Sequence, residues 1–179
     1  WGGTPVISWT RPEVFPKHPV FAQNQEEWET RMKTFPEDLA KWEKEIAAYR
    51  EKKGLAPDAP LPGQQYPDAP KKPAHDPGSS KRPGVLAMGM LAPIAPYALR
   101  GAIWYQGESD ANSNAGTYDE RLALMVNDWR AWWNLPQMAF GVVQLAGYMP
   151  PKSEPSDDPW PNLRESQRQF VLNDPNAGL

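Results

Sequence analysis

The stretch Gln106-Gly107-Glu108-Ser109-Asp110-Ala111-Asn112 crowds side-chain amides, a hydroxyl and two carboxylates around a glycine. A loop of that make-up turns several hydrogen-bonding groups toward a cleft. One chemistry to weigh is glycoside cleavage, with Glu108 and Asp110 as acid and nucleophile. That reaction needs carboxylates flanking a bond at defined separations, usually brought from different elements, so two in one short loop are a poor match. Another is calcium binding, because Asp110, Asn112 and Asn114 alternate as in an EF-hand. Yet Ala115 stands where the sharp bend needs Gly, and Arg121 where the bidentate Glu belongs. The plain structural alternative is that these side chains brace the loop and cap the helix after it.

Nucleophiles and metal ligands are scarce elsewhere. No serine lies in a G-x-S-x-G elbow, and Ser8, Ser79, Ser80, Ser153 and Ser156 sit in polar or proline-rich surroundings with no base nearby in sequence. His18, within Lys17-His18-Pro19, and His75, inside a proline-rich stretch, read as solvent-exposed rather than catalytic. Two histidines so far apart do not make a metal cluster. Cysteine is absent, which excludes disulfides, thiolate nucleophiles and cysteine metal sites together. Nothing resembles a phosphate loop, so no cofactor is expected.

The elements that must position the loop emerge from the apolar pattern. With 179 residues the chain is long enough to bury a core. A net charge of -3 with scattered Lys and Arg gives no basic face for phosphates, so no nucleic-acid partner is expected. Val85 to Leu99, the most apolar run, is interrupted by Pro93 and Pro96 and is too short to span a membrane. Gly101 to Tyr105 suits a strand covered on both faces, Gln106 to Gly116 a loop, and Thr117 to Glu120 a capping box opening a helix that buries Tyr118, Leu122, Met125, Trp129 and Trp132. Ala139 to Leu145 predicts a second strand and Pro161 to Leu172 a second helix, with Leu163, Gln167 and Phe170 on one face.

That order of strand, loop, helix, strand, helix indicates an α/β architecture with parallel strands and the site beyond their carboxyl ends. Between Glu13 and Pro83 (residues 13–83) lies a helical and proline-rich segment. Gln25 to Lys53 has helical periodicity on either side of Pro36, predicting a helical hairpin ended by Gly54, and prolines concentrate between Pro57 and Pro83.

Gly101-Ala102-Ile103-Trp104-Tyr105-Gln106-Gly107-Glu108-Ser109-Asp110-Ala111, with Trp1-Gly2-Gly3-Thr4-Pro5-Val6 and Leu163-Arg164-Glu165-Ser166-Gln167, resembles the sialate O-acetylesterase family of carbohydrate esterases in the SGNH-hydrolase superfamily. The resemblance implies a three-layer α/β/α sandwich with a mostly parallel sheet, incomplete over residues 1–179, with residues 13–83 as a variable helical and proline-rich insertion within it. It implies hydrolysis of acetyl esters on sugars by a Ser nucleophile with Asp and His partners outside this chain, so the segment alone is expected to be inert. An acetylated sugar is the expected substrate, and relatives are often exported.

Ester hydrolysis passes through an oxyanion that needs donors aimed at it. The resemblance maps a backbone donor onto Gly2, with Gly3 beside it, and a side-chain donor onto Gln106 or, in another alignment, Ser109. Glu108 would support the site through a buried pair with Arg164, and Asp110 would hold the loop by accepting backbone N–H bonds. Gly3, Tyr105, Ser109 and Asp110 are the expected substrate-side residues. A non-catalytic carbohydrate-binding module is the alternative, since Trp1, Trp9, Trp104, Tyr105 and Trp160 could offer flat faces to sugar rings.

Overall fold

The computed structural model describes residues 1–73, 76–150, 153–154 and 157–179. Contacts divide the chain into one unit made of Trp1–Gln25 and Ser80–Leu179 and a second made of Glu26–Ser79.

In the first unit, β1 (Gly101–Trp104), β2 (Ala139–Val142) and β3 (Ala177–Gly178) form a parallel sheet in the order β1-β2-β3. Ala102 pairs with Phe140 and Trp104 with Val142. Strand residues two apart share a face, so Ala102, Trp104, Phe140 and Val142 point to one side. Against that side lie α3 (Tyr118–Trp132) and α4 (Pro159–Asn173): Trp104 meets Trp129 edge-on at 5.7 Å, and Phe140 meets Phe170 at 6.3 Å. The fold is therefore α/β as expected, with two layers of the sandwich present here. The expectation that β1 is covered on both faces is corrected, because Ile103 on the opposite side is 83% exposed. Among the described residues no helix is long and apolar enough to cross a membrane.

The core explains the helical periodicity. Tyr118, Leu122, Met125 and Trp129 on α3 are buried, as are Leu163, Gln167 and Phe170 on α4, while Trp132 is only half-buried under the Arg11 guanidinium. The N-terminal segment is tied to α3 as well. Arg11 donates its backbone N–H and its Nε to the buried Asp128 carboxylate at 3.0 and 2.8 Å, and the Trp129 indole donates to Trp9 O at 2.9 Å. The predicted capping box does not form. Thr117 Oγ1 instead donates to Asn114 O and accepts from Arg121 Nε, because a short helix, α2 (Glu108–Asn114), occupies most of the expected loop and a turn joins it directly to α3.

Helix α1 (Pro19–Lys52) begins in the first unit and is continuous through Pro36, so the helical hairpin is corrected to one helix. Proline removes one backbone bond, which a helix of 34 residues tolerates. Within the second unit the returning arm is the proline-rich segment itself. The Trp42 indole donates to Pro70 O at 3.1 Å, Arg50 to Ala59 O at 3.0 Å, and the Tyr49 hydroxyl to Asp68 at 2.7 Å. Gly54, at φ +66, ends the helix as expected, with Leu55 N–H reaching back to Arg50 O.

Candidate active site where the first strand ends

Strand β1 leads directly into the loop. Tyr105 is 60% exposed, and the chain then turns inward so that Gln106 and Gly107 are buried. Gly107 is required here twice over: its φ is +154, and a Cβ on it would stand 2.5 Å from Leu163 Cδ2 and 3.0 Å from Leu145 Cδ1. Helix α4 and the segment after β2 thus clamp the loop at a point where no side chain fits.

Gln106 uses every hydrogen-bonding group of its side chain inside the protein. Its Nε2 donates to Thr4 O at 2.9 Å and to Asp110 Oδ2 at 2.8 Å, while its Oε1 accepts from the Tyr118 hydroxyl at 2.8 Å. Its backbone carbonyl accepts from Gln167 Nε2 at 3.0 Å. Both amide hydrogens are therefore already committed, and donation to a substrate oxygen would require one of these bonds to open.

Asp110 completes the connection. Its Oδ2 also accepts the Val6 backbone N–H at 3.0 Å, and its Oδ1 accepts from Asn114 Nδ2 at 2.8 Å. Burial pushes the Asp110 carboxyl pKa upward, opposed by these three donors and the Arg121 charge. Burial likewise raises the Tyr118 hydroxyl pKa, with the nearby Asp110 charge adding to it. The role expected of Asp110, accepting backbone N–H, is what the geometry displays, although the N–H comes from the far end of the sequence.

The turn at the start of the chain is consequently joined to the loop. Thr4 Oγ1 donates to Trp1 O at 3.2 Å and accepts from the Trp9 indole at 3.0 Å, closing Trp1-Gly2-Gly3-Thr4 into a compact turn. Gly2 and Gly3 are exposed, with Gly3 at φ +72, and lie two and one residues before the Thr4 carbonyl that Gln106 holds. Ser109, within α2, is half-buried, and its hydroxyl makes no hydrogen bond among the described residues.

The Glu108–Arg164 pair is corrected. Glu108 is exposed in the first turn of α2 and makes no ion pair among the described residues. Arg164 instead donates to Gln144 Oε1 at 3.1 Å, and Gln144 Nε2 donates back to Arg164 O at 3.0 Å. The reason is positional: α4 presents Arg164 to the segment leaving β2, whereas Glu108 turns to solvent. Of the aromatic faces, Trp104 is in the core at 7% exposure. Ser8 is fully buried, and His18 is half-buried rather than solvent-exposed. His75 and Ser156 lie outside the described residues.

Sequence reasoning missed Tyr118 and Gln167 as polar members of this network. Tyr118 Oη accepts from the Trp104 indole at 3.2 Å, and Gln167 Oε1 accepts Leu145 N–H at 3.0 Å. The available signal was a glutamine between Leu163 and Phe170 on an apolar stripe, since a buried amide must find partners.

Comparison with known proteins identifies the family. The family model described as carbohydrate esterase, sialic acid-specific acetylesterase, matches residues 87–177. Human sialate O-acetylesterase is 35% identical over 97 residues, covering 50% of this chain and 18% of that protein. The Mus musculus sialate O-acetylesterase is 33% identical over 105 residues, 55% of this chain and 19% of that one. The chain thus spans less than a fifth of the length of these curated relatives. The crystal structure of a carbohydrate acetylesterase from Xanthomonas citri superposes with a TM-score of 0.57 at 26% identity, over 99% of this chain and 28% of that one. With the matched region covering β1, β2, the clamped loop and α4, the chain belongs to the sialic-acid-specific acetylesterase family of carbohydrate esterases.

Proposed function

We propose that this chain is the central part of a carbohydrate O-acetylesterase, contributing the oxyanion-stabilising half of a site whose Ser nucleophile and Asp and His partners come from outside it. The observation that carries this reading is the union of the Trp1–Thr4 turn with the Gln106–Asp110 loop through Gln106–Thr4 and Asp110–Val6. Acyl transfer builds negative charge on the carbonyl oxygen, and donors held in advance at that position lower the barrier without reorganising. In this proposal the exposed Gly2 backbone N–H is one donor. The loop supplies the other from Ser109, whose hydroxyl is uncommitted, or from Gln106 if it releases Thr4 or Asp110. Gln106 and Asp110 chiefly hold the two segments in register. Glu108, exposed at the rim, stays off the oxyanion, because an ionised carboxylate there would repel the developing charge. Gly3 and Tyr105 border the acetylated sugar.

The test is acetate release from a panel of O-acetylated sugars by the full-length protein that carries this segment, with the 179-residue chain run in parallel. Release by the full-length protein and none by the segment is expected. No release from any acetyl ester by the full-length protein would overturn the reading.

A further inference from the structure

An aromatic pair at the start of α4 has no part in the Gln106–Asp110 hydrogen-bond network. Tyr148 and Trp160 pack with ring centroids 4.8 Å apart and planes inclined by 36°. The Trp160 indole N–H is anchored on Ala146 O at 2.9 Å, so the indole cannot rotate away without losing that bond. Tyr148, backed by this anchored ring, remains 63% exposed.

The position of the pair follows from helix geometry. Trp160 lies in the first turn of α4, and Leu163, one turn on and on the same side, abuts Gly107. Gln167, another turn on, holds the Gln106 carbonyl. Ala146 follows Leu145, the second residue pressed against Gly107. Trp160 thus lies about one helical turn, roughly 5 Å along the axis, from Leu163, the residue pressed on Gly107 of the loop.

We propose that Tyr148, supported by Trp160, is a stacking platform for the pyranose ring that carries the acetyl group, a substrate-binding subsite of the site proposed above, on which this inference rests. A pyranose offers one flat face of C–H bonds and a rim of hydroxyls. A rigid ring with an apolar face and a polar edge suits that shape at small entropic cost. Two rings are far too small an area for a stable protein interface, which needs about 1,000 Å² or more. The Asn162–Asp157 pair, bonded at 2.6 Å and exposed on the same turn as Trp160, adds polar groups near the rim.

The experiment uses the full-length protein with two substrates, ethyl acetate, which has neither sugar nor aromatic ring, and an O-acetylated methyl pyranoside. Tyr148→Ala is expected to raise KM for the pyranoside about tenfold with kcat within twofold, and to leave kcat/KM for ethyl acetate, which has no ring to stack, within twofold of wild type. Tyr148→Phe, which keeps the ring face, should stay within threefold of wild type. Equal losses on both substrates, or no change on either, would overturn the platform. If the wild-type protein releases no acetate from any ester, the esterase reading fails by itself. The platform is then judged by saturation transfer from the protein to the deacetylated methyl pyranoside: loss in Tyr148→Ala supports it, and an unchanged signal overturns it.

Discussion

The Asp110 carboxylate accepts the backbone N–H of Val6 at 3.0 Å, joining residues 104 positions apart through a group that is 1% exposed. A buried carboxylate is retained at a cost unless donors surround it, and here Val6, Gln106 and Asn114 do so. Asp110→Ala would leave those donors without an acceptor. It should lower unfolding free energy by about 3 kcal/mol, read from urea denaturation. Asp110→Asn, which keeps one acceptor, should lose less. Equal stability of Asp110→Ala and wild type would contradict the role assigned to it.

Gly107 tests the clamp on the loop. Gly107→Ala brings a methyl group to 2.5 Å from Leu163 at a backbone angle that disfavours side chains, and should cost about 2 kcal/mol. Adding Leu163→Ala removes the shortest contact, leaves the one with Leu145, and opens a cavity. The double mutant should therefore be more stable than the sum of the two single changes predicts.

Ser109 and Gln106 separate donation from positioning. Ser109→Ala should leave the melting temperature of the full-length protein within about 2 °C of wild type, since its hydroxyl bonds nothing in the described structure. It should lower kcat for an acetylated sugar at least about tenfold if that hydroxyl meets the oxyanion. An unchanged kcat would return the donor role to Gln106.

Asp174 gives a pH dependence with a definite sign. Its burial acts to raise the carboxyl pKa, but hydrogen bonds from Arg130 and the Asn176 N–H outweigh it and hold the pKa below the ordinary value. A lowered folded pKa means the stabilisation is complete above the unfolded carboxylate range and disappears as pH falls through the folded value. Asp174→Asn should therefore be less stable than wild type at pH 7, with the difference shrinking toward strongly acidic pH. A difference that grows on acidification would refute the assignment.

The parts of the fold legible in the sequence were those set by local repetition. The stripes Tyr118-Leu122-Met125-Trp129 and Leu163-Gln167-Phe170 placed α3 and α4, and two apolar runs placed β1 and β2, because burial follows the period of the backbone. Residues 108–114 were expected as loop from their Ser, Asp and Asn content, whereas tertiary bonds to the Asp110 carboxylate support a short helix there. Pro36 suggested a break that the length of α1 overrides. The pairing of Glu108 with Arg164 failed for a related reason: which residues meet across elements depends on helix rotation, and motif membership carries no such information. Convergence of the first turn on the loop was reachable only through resemblance, since no short-range pattern links Thr4 to Gln106.

The central claim is that the first turn and the loop after β1 act as one preorganised unit through Gln106. The most direct measurement is kcat for acetate release by Gln106→Ala in the full-length protein. A misplaced oxyanion site should lower it by about 10²-fold while KM stays within threefold. A kcat within threefold of wild type would contradict the account.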